Sequence, residues 1–197
     1  MNHEISLAVW DLPSPVVIGR RTTLKAGISC PYGCSLAGTT IDVRDEQGTT
    51  IGSGRIGPDV WPGSSALHWV ELDVTAPDVE GAHTWTVHAT APDEMHAQLE
   101  GTVRVLASRP PEHRVTIDLI EQGSGRRLAD VELRVGAFRA TTDEEGRAQI
   151  DVPAGRYDVH AWKIGYDLLS IAEDITNRTT LRLELAVAAQ AEQPYWM

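Results

Sequence analysis

Residues 128–166 read LADVELRVGAFRATTDEEGRAQIDVPAGRYDVHAWKIGY, and this stretch decides the fold of the second half of the chain. Apolar residues alternate with polar ones, at the period of two of a half-buried strand. Turn residues punctuate the alternation. Gly146 relieves a turn after the acidic run Asp143-Glu144-Glu145. Pro153 ends one strand and Gly155 takes the next turn. In the following strand Tyr157, Val159 and Ala161 point inward, so Arg156, Asp158, His160 and Trp162 point outward. Gly165 closes that strand ahead of Tyr166. VELRVGAF, 131–138, reads as one continuous strand.

The same pattern extends in both directions. Strands are expected at 113–121, 170–175 and 179–187, while residues 188–197, AAQAEQPYWM, show none. Upstream, SRPPEH at 108–113 interrupts the alternation. Pro110 and Pro111 cannot donate ladder hydrogen bonds, so 108–112 reads as a short, semi-rigid linker. Before it lie about seven further strands: 7–12, 22–29, 39–45, 49–56, 67–77, 81–90 and 99–106. Leu24, Ala26 and Ile28 share a face, as do Ile41 and Val43, and His68, Val70, Leu72 and Val74. Asp45-Glu46-Gln47-Gly48 is a hairpin turn. Helical periodicity is nearly absent. The expected fold is all-β: two tandem β-sandwich domains, an immunoglobulin-like one over 1–107 and a second over 113–187, with a tail at 188–197.

The quoted stretch resembles a carboxypeptidase-regulatory-like domain, of the transthyretin-like (prealbumin-like) sandwich group, over about 113–187. Four features carry the resemblance: Leu128-Ala129-Asp130-Val131, the Thr142-Asp143-x-x-Gly146 turn, Val152-Pro153-x-Gly155-x-Tyr157-x-Val159, and Lys163-x-Gly165-Tyr166. It implies a β-sandwich and a module that serves many hosts, and it says little about activity. The chemistries of related sandwiches do not transfer. Hydroxyisourate hydrolases end in Tyr-Arg-Gly-Ser, whereas this chain ends in Tyr195-Trp196-Met197. Isopeptide-forming sandwiches need a lysine in the first strand; 113–121 has none, and Lys25 and Lys163 are the chain's only lysines. Intradiol dioxygenases hold iron with two Tyr and two His, but Tyr157 and His160 fall on opposite faces of one strand.

The 197-residue chain has a formal net charge of -11, and both halves are acidic, which argues against nucleic acid or an anionic membrane as partner. No apolar run could span a membrane, and the N-terminus lacks the pattern of a signal peptide. A cytoplasmic location is the default expectation, with export alongside a partner left open.

Both cysteines lie in ISCPYGCSLAGTTIDV, 28–43, read as a hairpin between two core strands. Cys30 and Cys34 have three residues between them and stand between strands, so they do not match a Cys-x-x-Cys redox motif at a helix start. With no histidine partners in view, three readings stay open: a disulfide, two thiols, or metal or redox work. His3, His96 and His113 have no visible companions. No phosphate loop, nucleophile elbow or zinc-protease motif occurs.

The chain is therefore expected to be a non-catalytic accessory or structural subunit that binds a larger protein partner. No catalytic residue, cofactor or metal is assigned. Candidate contact residues are His160, Trp162, Tyr195, Trp196 and Met197, because outward Trp and a terminal aromatic segment suit docking. The alternative is an exported surface or carbohydrate-binding protein, which calls for a coplanar row of exposed Trp and an oxidised Cys30–Cys34 pair. An enzyme would need a cleft where histidine and carboxylates converge.

Overall fold

The computed structural model describes residues 3–91, 96 and 98–189, and every regular element among them is a strand. The chain divides into two compact units, Met1–Arg109 and Pro110–Met197.

The first unit contains β1 (Ser6–Trp10), β2 (Val16–Val17), β3 (Arg21–Ser29), β4 (Thr40–Arg44), β5 (Thr50–Arg55), β6 (Leu67–Thr75), β7 (Gly81–Thr90) and β8 (Leu99–Ser108). They form two sheets, ordered β1-β3-β6 and β2-β8-β7-β4-β5. This is an immunoglobulin-like sandwich with crossovers between its sheets. Period-two patterning builds its core. Leu24, Ala26 and Ile28 from β3 and Leu72 and Val74 from β6 are buried, together with Ile41, Val43, Trp85, Val87 and Val105 from the other sheet. At one edge β5 runs close to β6. A Cβ on Gly52 would stand 2.6 Å from the Asp73 carbonyl oxygen, so only glycine permits that approach.

Two details differ from the sequence reading. β2 adds a short strand, paired parallel with β8. ISCPYGCSLAGTTIDV is not a hairpin: β3 and β4 belong to different sheets, so the stretch is a crossover at one end of the sandwich. Alternation identifies strands but does not assign them to sheets.

The second unit contains β9 (His113–Glu121), β10 (Glu132–Val135), β11 (Phe138–Thr141), β12 (Arg147–Val152), β13 (Gly155–Trp162), β14 (Leu169–Ile175) and β15 (Thr179–Leu185). Its sheets are β11-β10-β13-β14 and β12-β9-β15, with β9 and β15 parallel. Val115, Ile117, Leu133, Val135, Val159, Ala161 and Ile175 fill the space between them. The run 131–138 is two strands rather than one. Val135 pairs with Phe138 across a tight turn in which Gly136 takes a φ of 57°. The reversal brings the Gly136 backbone against the Tyr157 ring, where a Cβ would lie 2.8 Å from Cδ1.

The motif residues of 128–146 act on one another. Buried Thr142 donates its hydroxyl to the Leu128 carbonyl at 2.7 Å and accepts from the Val131 amide at 2.9 Å. Thr142 therefore latches the Leu-Ala-Asp-Val segment. Asp143 accepts from the Glu145 and Arg147 amides, shaping the turn that Gly146 completes. Near the end of β9, Glu121 accepts from the Ser124 hydroxyl, the Tyr166 hydroxyl and the Arg126 guanidinium. These three bonds pull its carboxyl down to about 2, against a smaller opposing push from burial.

Candidate functional site

The outer face of the sheet β11-β10-β13-β14 carries two of the sequence candidates. The register places Arg139, Arg134, His160 and Ser170 in one row across the four strands. Arg134 and Arg139 are direct cross-strand partners, a like-charge pairing that disfavours the sheet in isolation. The next row contains Thr141, Glu132 and Trp162. Trp162 is 46% exposed at the end of β13, and its loop carries Ile164 at 82% and Leu168 at 63%. Val187, also exposed, adjoins the same loop through the Tyr166–Val187 bridge. The Ala188 amide bonds the Gly165 carbonyl and the Asp167 amide bonds the Ala186 carbonyl, so residues 186–188 run beside this loop. A short basic row thus lies beside an exposed apolar end, in a chain of net charge -11. Tyr195, Trp196 and Met197 lie outside the described residues.

The cysteines stand in a different setting from the one the sequence suggested. Cys30 follows β3 and Cys34 closes the crossover turn, in which the Gly33 amide donates to the Cys30 carbonyl and Gly33 takes a φ of 69°. No disulfide joins them: the sulfurs are 3.2 Å apart, against about 2.05 Å for a bond. They do have histidine companions, which corrects the reading that left His3 and His96 alone. His3 Nδ1 lies 3.1 Å from Cys34 Sγ and 3.9 Å from Cys30 Sγ. One ligand atom from each of His3, Cys30, Cys34 and His96 falls within 4.8 Å of all the others. Cys30 and His96 are buried, and the His3 and Tyr32 rings meet with centroids 4.5 Å apart at a tilt of 32°. Burial pushes the Cys30 thiol up. Hydrogen bonds from the Cys34 side chain, the Tyr32 backbone, the His96 side chain and the Cys34 backbone outweigh it and bring the thiol down to about 6.

These four residues come from three separate parts of the sequence, and the topology gathers them. Ser6 pairs with Ser29, so residues just before β1 meet residues just after β3. Ala89 pairs with Leu99, so the β7–β8 connection holding His96 reaches one end of the other sheet, where His96 bridges His3. The available signal was the spacing Cys-x-x-x-Cys, which falls within the range used by structural zinc sites.

Two clefts bring a histidine among carboxylates: one of about 530 Å³ in the second unit, lined by Glu112, His113 and Asp151, where Asp151 is paired with Arg114, and one of about 350 Å³ in the first unit, lined by Asp45, Glu46, Asp78 and His83. In the first-unit cleft, three of the four groups bond the backbone. His83 Nε2 donates to the Val79 carbonyl at 2.8 Å, Glu46 accepts from the Thr84 amide, and Asp45 accepts from the Gln47 and Thr49 amides. Three tryptophans also gather, on the outer face of β1-β3-β6. Trp10 and Trp61 meet at 81° and Trp61 and Trp69 at 90°, edge to face, with the Lys25 ammonium 5.2 Å from the Trp61 ring. That is not the coplanar row that stacking on a sugar calls for. No helix among the described residues is long and apolar enough to cross a membrane.

No protein-family model matches the chain. No curated protein matches it either. Solved structures give distant likenesses. The Bacillus anthracis TIE protein is 12% identical at a TM-score of 0.32, over 93% of this chain and 41% of its own length. This chain therefore spans less than half of that structure. BcpA, the major pilin subunit of Bacillus cereus, is 13% identical at a TM-score of 0.34, over 94% of this chain and 70% of its own. The N-terminal Ig1-2 module of the Drosophila receptor protein tyrosine phosphatase DLAR is 12% identical at a TM-score of 0.30, over 88% and 98%. At such scores these likenesses carry no argument about activity, partner or location.

Proposed function

We propose that this chain is a non-catalytic protein-binding module whose second sandwich is carboxypeptidase-regulatory-like. It docks a partner on the outer face of β11-β10-β13-β14. The observation that carries this reading is the adjacency of the Arg139–Arg134–His160 row to the exposed Trp162, Ile164 and Leu168. Trp and Arg are the side chains most enriched at binding hot spots. A cross-strand Arg–Arg pair gains from an incoming carboxylate. The partner that fits is a protein segment with an apolar anchor flanked by acidic residues. In support of a non-catalytic role, Asp45, Glu46 and His83 of the first unit's cleft are engaged with backbone groups.

Immobilised full-length chain, incubated with native extract of its source, tests this. The expected result is one discrete protein retained by the wild type and lost from both Trp162→Ser and Arg134→Glu, with an acidic, apolar-anchored segment at the contact. Retention unchanged in both variants, or contact mapped to the first unit alone, overturns the reading.

A further inference from the structure

We propose that His3, Cys30, Cys34 and His96 bind one zinc ion in a closed tetrahedral site that staples the two sheets of the first sandwich at one end. Geometry supports it first. A tetrahedral zinc with two thiolates and two imidazoles sets the sulfurs about 3.8 Å apart and each nitrogen about 3.6 Å from each sulfur. The pairs here are 3.2 Å for sulfur to sulfur and 3.1 and 3.9 Å for His3 Nδ1 to the two sulfurs. Side-chain shifts of about half an ångström bring these three pairs to the metal geometry, and the His96 ligand atom lies within 4.8 Å of the other three.

Ligand chemistry supports it second. Thiolates and imidazoles select zinc over calcium or magnesium, which require oxygen ligands. On binding, the two thiols lose their protons. Two thiolates then balance the dication, so the buried site carries no net charge. Cys30 and His96 are 2% and 6% exposed, and four protein ligands leave no open coordination position. The site is structural rather than catalytic.

Topology supplies the consequence. Cys30 and Cys34 lie in the crossover that leaves β3, and His3 leads into β1, all adjoining the three-stranded sheet. His96 comes from the β7–β8 connection of the five-stranded sheet. The metal therefore joins the two sheets covalently at that end. The site is separate from the docking face proposed above, which lies on the other unit, so either reading can fail alone.

The test uses full-length chain produced with zinc and purified under reducing conditions without chelator. Native mass spectrometry is expected to show one zinc per chain. Cobalt exchange is expected to give intense tetrahedral d–d bands with sulfur-to-cobalt charge transfer. His96→Ala and Cys34→Ala are expected to weaken cobalt binding by more than about 100-fold, since even losing an outer-shell partner costs 10–100-fold. His113→Ala, in the second unit, leaves it unchanged. The wild-type measurements stand even where a ligand variant fails to fold. Wild-type chain without stoichiometric zinc, a weak octahedral cobalt spectrum, or a Cys30–Cys34 disulfide in the reduced preparation overturns the assignment.

Discussion

Replacing Thr142 by valine keeps the shape of the side chain and removes its hydroxyl. That hydroxyl donates to the Leu128 carbonyl at 2.7 Å and accepts from the Val131 amide at 2.9 Å. All three residues are at most 3% exposed, so water cannot replace the lost partner. A buried donor left without an acceptor costs about 1–3 kcal/mol, and the orphaned carbonyl adds to this. The new methyl returns at most about 0.8 kcal/mol. The net expectation is a loss of about 2 kcal/mol. For a domain of this size that lowers the melting temperature by roughly 8–16 °C. Calorimetry of the full chain measures the shift, and hydrogen exchange of peptides over 128–146 assigns the transition to the second unit. Thr141→Val, one residue away and exposed, is the control and is expected to stay within about 0.5 kcal/mol of wild type. Equal melting of the two variants, with the Val131 amide still protected in Thr142→Val, would refute the latch.

Glu121 sets an acid limb on stability. Its carboxyl sits at about 2 when folded, below the usual 4.5, so its contribution is full above about pH 4.5 and is lost as pH falls toward 2. Glu121→Gln should flatten that limb in urea titrations run between pH 6 and pH 3, and an unchanged limb would remove Glu121 from the account. Gly52→Val should cost about 1–3 kcal/mol, because its Cβ would press on the Asp73 carbonyl. Gly57→Ala, at a position with open space, should be near neutral, and similar midpoints for the two variants would contradict the close approach of β5 and β6. Trp162→Ser should abolish partner retention yet leave the urea midpoint within about 0.5 kcal/mol of wild type, because the side chain is 46% exposed.

Strand positions and inward faces were legible because burial imposes period two directly on the sequence. Leu24, Ala26 and Ile28 in β3 are buried as their alternation indicates, as are Val159 and Ala161 in β13. The outward placement of His160 and Trp162 follows from the same parity. The Gly136 turn was hidden because the apolar alternation of VELRVGAF continues straight through it. What pairs with what was not legible either. The Cys30–Cys34 crossover looked like a hairpin because its flanking strands alternate alike, although they belong to different sheets. The convergence of His3 and His96 on the cysteines depends on strand register, which no local pattern contains. The basic row was missed for the same reason: Arg134, Arg139 and His160 come from three strands and become a row only once paired.

The most direct test of the binding role is photo-crosslinking from Ile164, the most exposed of the apolar residues at the Trp162 end. A photoreactive amino acid placed there, and in a separate chain at Val79 of the first unit, is irradiated in native extract. The account predicts one discrete adduct from position 164, none from position 79, and loss of the adduct when Arg134→Glu is added. No adduct from position 164, or the same adduct from both positions, would contradict it.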